Sequence, residues 1–112
     1  MGFLQRLIQT DEERLAEEIR EWAESVPGTV RIAKCPSRKP VRIAGVVKRL
    51  TIRPREDCME AVISDGTGEV TAVWTGRSHI PGLSLGSRVT LEGVLSSERG
   101  RIRVVNPRYE FA

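Results

Sequence analysis

The hydrophobic pattern has a period of two from Val41 onward, and this feature constrains the fold of the chain more than any other. The apolar phase covers alternate residues, slips once and then resumes: Val41, Ile43, Gly45 and Val47, followed by Leu50 and Ile52. A period of two is typical of a half-buried β-strand. A glycine and a phase slip within one long strand predict a bulge or a sharp coil, which a strand needs when it serves both sides of a small barrel.

Four more segments with the same period follow the first strand, at residues 59–63, 70–74, 89–93 and 102–104. The sequence Asp65-Gly66-Thr67-Gly68 predicts a hairpin between the second and third strands, with Asp65 as a turn former. Residues 76–86 are too long and too rich in proline and glycine for a hairpin. Five short strands with a long connection after the third match the order of the OB-fold. A small SH3-like barrel, the main alternative, usually lacks that connection.

A helix is predicted over residues 11–25, before the first strand. Thr10-Asp11-Glu12-Glu13 is a capping-box pattern, and Pro27-Gly28 ends the helix. Apolar residues recur at helical spacing around Leu15, Ile19 and Trp22. This stripe packs on the barrel or, as the alternative, joins a partner protein or a second copy. A second short apolar stripe is predicted upstream, formed by Phe3, Leu4, Leu7 and Ile8.

The predicted fold is therefore an all-β core, a five-stranded Greek-key OB-fold barrel, with an added N-terminal α-helix. Residues 1–28 carry three arginines and seven acids, a net charge of −4, whereas residues 29–112 carry fifteen basic and eight acidic residues, a net charge of +7. We divide the chain into an N-terminal helical segment (1–28), a basic linker (29–37) and an OB-fold domain (38–112). The basic part attracts polyanions, although surface charge on a small domain also serves solubility.

Residues that metal sites and catalytic centres need are few in this sequence. Cys35 and Cys58 stand apart from each other and from His79, the only histidine, so no metal-ligand spacing occurs. The glycine-rich turn at residues 65–68 joins two strands and lacks the lysine of a phosphate loop. We therefore expect no catalysis, no metal and no cofactor. No apolar run approaches the ~20 residues of a membrane span, and no secretion signal is present, so we expect a cytoplasmic protein without a membrane partner.

Residues 41–47, 63–70 and Leu91-Glu92-Gly93 resemble OB-folds of the tRNA-anticodon-binding type. The tail Asn106-Pro107-Arg108-Tyr109-Glu110 is similar to the end of the OB wedge domain of branch-migration DNA helicases. Together with Trp74-Thr75-Gly76-Arg77 and Ile80-Pro81-Gly82-Leu83, these segments resemble a family of small actinobacterial OB-fold nucleic-acid-binding proteins. The resemblance covers about residues 38–112. It implies a nucleic-acid-binding fold and no helicase activity, because no helicase motor is present in this sequence.

OB-folds bind oligonucleotides on the face of strands 2 and 3, between the loop joining strands 1 and 2 and the loop joining strands 4 and 5. Here those loops lie near residues 53–57 and 98–101, and both carry arginines, which bind phosphates through a bidentate fork and also stack on bases. Trp74 shares the phase of Val70 and Ala72, so it is either a core residue or a stacking surface. The predicted nucleic-acid-binding residues are Lys48, Arg49, Arg53, Arg55, Thr71, Val73, Trp74, Arg77, Arg99, Arg101, Arg103 and Arg108.

The predicted function is thus a non-enzymatic OB-fold module that binds single-stranded DNA or RNA through arginine-rich loops beside the face of strands 2 and 3. Glu60, in strand 2, opposes binding if its side chain points onto that face. The alternative is a protein-interaction adaptor, whose groove or amphipathic helix docks a partner protein or a second copy. A helix that covered the basic face would neutralise it and favour the adaptor.

Overall fold

The structure, a computed structural model, describes residues 10–36 and 38–112. Helix α1 covers Asp11–Ser25, and two short 3₁₀ helices cover Ile32–Lys34 and Pro54–Glu56. The strands of the described chain are β1 (Pro40–Arg53), β2 (Cys58–Ser64), β3 (Glu69–Thr75), β4 (Arg88–Val94), β5 (Ser96–Glu98), β6 (Arg101–Val105) and β7 (Arg108–Phe111). The upstream stripe predicted at Phe3, Leu4, Leu7 and Ile8 lies outside the described residues.

Helix α1 begins and ends where the sequence predicts. The side-chain oxygen of Thr10 accepts a hydrogen bond from the amide of Glu13 at 3.1 Å, and acidic residues occupy the first turn. This cap satisfies one of the amides that a first helical turn leaves without a partner. Beyond Ser25 the chain is extended at Val26, and Gly28 has a φ of +77°, so the Pro-Gly pair ends the helix as predicted.

Part of the predicted apolar stripe of α1 is buried. Ile19 and Ala23 are buried and the helix contacts β1, whereas Leu15 is 50% exposed. Trp22 is half-buried, and the guanidinium carbon of Arg88 lies 5.1 Å from the centre of its ring, within the range of a cation–π contact. The helix therefore packs on the sheet, and Leu15 remains at the surface.

The strands form one sheet in the order β5-β6-β3-β2-β1-β4-β7. Neighbouring strands are antiparallel except β3 and β6, which are parallel. A mostly β fold with one helix is therefore confirmed. The prediction of a five-stranded barrel is not confirmed, because seven strands occur in the described chain and no ladder joins β5 to β7 to close the sheet.

Strand β1 has 14 residues and changes its partner halfway. Residues 40–46 pair with β4 and residues 46–53 pair with β2. The register shifts between Val47 and Arg49, so the bulge lies at the predicted phase slip. Gly45 lies just before the change of partner, where a Cβ atom would be 2.7 Å from the carbonyl oxygen of Ser64. Only glycine permits this approach of the two backbones.

The two strands that the sequence analysis missed lie at the edges of the sheet. β5 follows β4 after the single residue Leu95 and pairs with β6, while β7 pairs with β4. Because β4 and β5 are neighbours in the chain but far apart in the strand order, the sheet must curl. β4 contacts β6, and a Cβ atom at Gly93 would lie 2.7 Å from Cγ2 of Val104. The curled sheet is thus held by side-chain packing at this point and not by a ladder.

The core lies inside the curl and is mainly aliphatic. Its buried members are Ile32, Ile43, Val47, Met59, Ala61, Ile63, Val70, Ala72, Trp74, Ile80, Leu83, Val89, Leu91, Leu95 and Val104. Two of these residues, Ile80 and Leu83, belong to the long connection between β3 and β4. That connection therefore packs on the core, even though it contains no strand.

The segment predicted as a basic linker is held against the sheet. Ile32 is 1% exposed, and its amide donates to Oδ2 of Asp65 at 2.8 Å. Oδ1 of the same carboxylate accepts from the amides of Thr67 and Gly68 and from the Thr67 hydroxyl. Asp65 therefore fixes the turn between β2 and β3, as predicted, and ties that turn to the segment before β1.

Cys35 lies near this carboxylate. Burial raises the pKa of the Cys35 thiol, and the charge of Asp65 adds to the shift, so the thiol is protonated at neutral pH.

Candidate nucleic-acid interface

The predicted binding face is a continuous surface across β1, β2, β3 and β6. It consists of three rows of paired residues: Arg49, Val62, Thr71 and Arg103; Thr51, Glu60, Val73 and Val105; Arg53, Cys58 and Thr75. Core residues of the same strands, such as Ala61 and Ala72, have the opposite parity and are fully buried. We call these three rows the outer face.

Two adjoining clefts open on the outer face, beside the turn between β5 and β6. Their volumes are about 520 and 600 Å³, a range that holds small organic ligands. Arg49, Val62, Glu69, Gly100 and Ile102 line the first cleft, Glu60, Glu98, Arg99 and Arg103 line the second, and Thr71 and Arg101 line both. Each cleft is thus large enough for a nucleotide-sized group, and the shared residues make the two clefts one path.

Ion pairs engage two of the predicted arginines. Nε of Arg53 lies 2.8 Å from Oε2 of Glu60, and Nη1 of Arg103 lies 2.6 Å from Oε2 of Glu98. The hydrogen bond with Glu60 raises the pKa of the Arg53 guanidinium above its ordinary value, so this side chain stays charged at any working pH. Glu60 therefore lies on the outer face and offsets positive charge there.

Three arginines of the clefts remain without an ion pair within the described residues: Arg49, Arg99 and Arg101. All three are exposed. Arg99 and Gly100 form the turn between β5 and β6 with φ values of +52° and +78°, as in the two-residue turns that join twisted strands. Asparagine fits the first position with less strain, and an arginine there costs about 1 kcal/mol. The turn holds these arginines at the rim of the clefts.

The two predicted flanking loops lie at opposite ends of β3. The β5–β6 turn immediately precedes β6, which pairs with β3 in parallel, so this turn lies beside the start of β3. The 3₁₀ helix Pro54–Glu56 lies at the other end, because Cys58 pairs with both Arg53 and Thr75. A seven-residue strand spans about 20 Å at about 3.3 Å per residue. The outer face therefore lies between the two loops, as the fold predicts.

Two of the predicted site residues are buried. Trp74 is 3% exposed, packs edge-on against Tyr109 at a centroid distance of 5.9 Å, and donates from Nε1 to the carbonyl oxygen of Pro107. Of the two interpretations of Trp74, the structure supports the core residue. Val73 has the parity of the outer face but is 4% exposed, because it lies between Glu60 and Val105 in the register. Neither side chain is available to a base, and we withdraw both from the site.

Two further predicted residues lie away from the clefts. Arg77 follows β3, and its Nη1 donates to the hydroxyl of Tyr109 at 3.1 Å. Arg108 is on β7 and lines a separate cleft with Arg42 and Glu92. The structure thus separates both arginines from the outer face.

The remaining predicted residues lie on or beside the outer face. Lys48 is exposed at the β1 bulge, and Arg55 is exposed in the 3₁₀ helix between β1 and β2. Five predicted residues line the clefts together: Arg49, Thr71, Arg99, Arg101 and Arg103. Arg53 and Arg55 lie at the far loop, and Arg53 contacts Glu60, which lines the second cleft.

Four residues that line the first cleft were not predicted from the sequence: Val62, Glu69, Gly100 and Ile102. Val62 has the same parity as Glu60, so the period of β2 contains the signal that places it on the outer face. Ile102 shares the phase of Val104 and packs against the core, but it is only half-buried and also lines the first cleft. The edge position of β5 leaves this end of β6 partly uncovered.

Residues of α1, in the part of the chain that the structure describes, line neither cleft. Within residues 10–36 and 38–112 no group of three or more His, Cys, Asp or Glu side chains is placed to hold a metal ion. None of the described helices has the length and apolar content that crossing a membrane requires. The outer face therefore presents arginine, threonine and carboxylate side chains, together with the half-buried Val62 and the exposed Val105.

Solved structures of low sequence identity share this fold. The p202 HIN1 domain in complex with a 12-mer double-stranded DNA has a TM-score of 0.60 at 15% identity, over 75% of this chain and 45% of that one. A replication protein A heterotrimer bound to single-stranded DNA has a TM-score of 0.56 at 13% identity, over 86% and 76%. OBody AM3L09 bound to hen egg-white lysozyme has a TM-score of 0.58 at 18% identity, over 78% and 96%. Such likenesses show the fold alone.

The chain spans about half the length of several structures that it matches, and no sequence among curated proteins matches it. The similarity to helicase wedge domains and to small actinobacterial proteins stays a prediction. The resemblance to anticodon-binding OB-folds is confirmed, because one protein family matches residues 41–112, which are more than half of the chain. The chain therefore belongs to the tRNA anti-codon family of OB-fold nucleic acid binding domains.

Proposed function

We propose that this chain binds single-stranded DNA or RNA along the outer face and catalyses no reaction. The observation that carries the proposal is the placement of Arg49, Arg99 and Arg101 on two adjoining clefts of a nucleic-acid-binding fold. None of these three arginines is in an ion pair within the described chain. The family membership supports the ligand class, and the clefts support the position.

Phosphate contacts at this site are expected from the arginine side chains. A guanidinium presents paired donors that match two phosphate oxygens. Arg99 and Arg101 rim the path beside the start of β3, while Lys48 and Arg49 rim it from β1. The hydroxyl of Thr71, which lines both clefts, adds a neutral donor between them.

A flexible ligand fits this arrangement better than a stiff one. The two clefts adjoin on a curled sheet, so a strand that places phosphates in both must follow the curvature. Duplex DNA resists such bending, with a persistence length of about 150 base pairs, whereas a single strand bends at each nucleotide. This difference is our reason for proposing a single-stranded ligand.

Fluorescence-anisotropy titrations with a single-stranded DNA 12-mer, an RNA 12-mer and a duplex 12-mer test the proposal at two salt concentrations. The expected result is micromolar or tighter binding of both single strands at low salt, weaker binding of the duplex, and loss of affinity as salt rises. Equal or tighter duplex binding would overturn the single-stranded assignment. Absence of binding by all three at low salt would overturn the proposal as a whole.

A second candidate function is docking of a protein on the same fold. The similar OBody structure has lysozyme bound, and Leu15 leaves an apolar side chain of α1 exposed in this chain. If the titrations show no nucleic-acid binding, sedimentation of the chain alone tests the self-association form of this candidate. A concentration-dependent dimer that dissociates on Leu15→Glu would support it.

Replacing Glu60 with glutamine is expected to strengthen binding by about threefold at low salt. The change removes a negative charge from the outer face and releases Arg53 from its ion pair. A unit charge about 6 Å from a phosphate contributes ~0.7 kcal/mol in water, which corresponds to about threefold in affinity. Anisotropy titration of the two proteins with the same single strand measures the difference.

Glu110→Gln is the matched control, since it makes the same charge change on β7, where the carboxylate is 76% exposed. Its expected effect on affinity is small, because exposed charges beyond the Debye length of about 8 Å are screened. Equal strengthening by both substitutions would show that net charge alone attracts the ligand, against a site on the outer face.

A further inference from the structure

The aromatic side chains of the described chain lie away from the outer face. Trp22 is on α1, in contact with Arg88, and Trp74 is in the core. Tyr109 and Phe111 are on β7, with ring centroids 5.7 Å apart, and Tyr109 packs against the buried Trp74 and the core. None of these rings lines either cleft. Single-strand binders usually stack bases on such rings, so this site lacks the usual platform for bases.

Asparagine and glutamine side chains are absent from the lining of both clefts. Asparagine and glutamine make the paired hydrogen bonds to adenine, and the one amide near the outer face is already engaged. Oδ1 of Asn106 accepts from the amide of Thr75 at 3.0 Å, and its Nδ2 donates to the Thr75 hydroxyl at 3.0 Å. The carboxylates of Glu60 and Glu98 accept from Arg53 and Arg103. These groups are therefore committed within the protein.

The groups that remain available in the clefts match phosphate and sugar. They are the guanidiniums of Arg49, Arg99 and Arg101 and the hydroxyl of Thr71. One exposed carboxylate, Glu69, also lines the first cleft and is in no ion pair of the described residues. The apolar lining consists of Val62 and Ile102, both half-buried, which offer a narrow surface and no ring. Arginine also stacks on bases and pairs with guanine edges, and a ligand without bases separates these contributions from phosphate binding.

Resting on the proposed function, we propose that the outer face binds the sugar–phosphate backbone and takes no affinity from the bases. The ligand class is a linear phosphodiester chain, with any bases or with none. Base composition then changes affinity little, which departs from the stacking mode of single-strand binding. This chain would hold a strand without sensing its sequence.

An abasic oligonucleotide tests this inference directly. A 12-mer of oligo(dT) and an abasic 12-mer with the same backbone and the same 5′ fluorophore are titrated with the full chain at two salt concentrations. The expected result is a ratio of dissociation constants below about threefold, with equal salt slopes. A single stacked base contributes about fivefold or more, so a ratio above threefold would overturn the inference.

Two controls keep this result interpretable. The double variant Arg99→Ala/Arg101→Ala is expected to weaken the binding of both ligands by the same factor. Equal losses would place the backbone binding at the clefts. Unequal losses would show that one of these arginines stacks on a base and would contradict the inference. If neither ligand binds the wild type at low salt, the proposed function itself fails. Failure of the inference alone appears instead as tight oligo(dT) binding with loss of the abasic ligand.

Discussion

Replacing Asp65 with alanine is expected to lower the free energy of unfolding by about 3–4 kcal/mol, the range for breaking a buried polar network. The carboxylate is 3% exposed, and it accepts four hydrogen bonds, from the amides of Ile32, Thr67 and Gly68 and from the Thr67 hydroxyl. Alanine leaves these donors without an acceptor. Thermal unfolding followed by circular dichroism measures the effect, with an expected fall in Tm of about 10–20 °C.

Asp65→Asn is the matched control for this prediction. Its single amide oxygen can serve the donors of Thr67 and Gly68, but its amide nitrogen then faces the amide of Ile32, a contact between two donors. We therefore expect a loss between those of wild type and the alanine variant. If the alanine variant unfolds within about 2 °C of wild type, the turn between β2 and β3 does not depend on this carboxylate, contrary to the structure.

Gly45→Ala is expected to destabilise the fold by about 3 kcal/mol, at the upper end of the range for overpacking. The added Cβ atom would lie 2.6 Å from Cγ2 of Ile63 and 2.7 Å from the carbonyl oxygen of Ser64. The methyl group of Ile63 has some freedom to move, but the carbonyl belongs to the paired backbone of β2 and does not. Urea unfolding with a single slope for wild type and variant measures the difference.

Gly100→Ala provides the comparison that isolates crowding from backbone strain. Gly100 has a φ of +78° and nothing within 4 Å of the added Cβ atom, so alanine there costs only the strain of a positive φ, about 1 kcal/mol. Gly45 is not in that region of φ. A larger loss at Gly100 than at Gly45 would contradict the close approach of β1 and β2.

Periodicity predicts those elements that have one buried and one exposed side. Helix α1 and the bulge of β1 follow the sequence closely, because the capping box and the phase slip are local signals. β7 has a four-residue alternation of charged and aromatic residues, Arg108–Phe111, but the Asn106-Pro107 break before it favours a tail. β5 consists of three exposed residues and has no apolar phase, so periodicity gives no sign of it.

The sequence predicts which loops and which face of the sheet form the candidate site. The fold places both arginine-bearing loops beside strands 2 and 3, and the structure keeps this arrangement. The sequence does not predict which arginines are outside ion pairs, because the Arg53–Glu60 pair depends on the register of β1 against β2. The burial of Val73 likewise depends on the pairing of β3 with β6, which is a contact between residues distant in the sequence.

The salt dependence of binding by an arginine-deleted variant tests the central claim, that nucleic acid binds the outer face, most directly. Arg99→Ala/Arg101→Ala removes two cations from the clefts, and Arg88→Ala/Arg108→Ala removes two from β4 and β7. Neither of these arginines lines the clefts: Arg88 lies over the ring of Trp22, and Arg108 lines a separate cleft with Arg42 and Glu92. With both variants shown to be folded, titrations of a single-stranded 12-mer across a salt series give the affinity and the salt slope.

For Arg99→Ala/Arg101→Ala we expect about tenfold weaker binding at low salt, from a loss of ~1.4 kcal/mol, and a salt slope smaller by about 0.7 for each lost phosphate contact. For Arg88→Ala/Arg108→Ala we expect a change of less than about twofold, because the Debye length is only about 8 Å at physiological salt. Equal losses in affinity and slope from the two variants would contradict the claim.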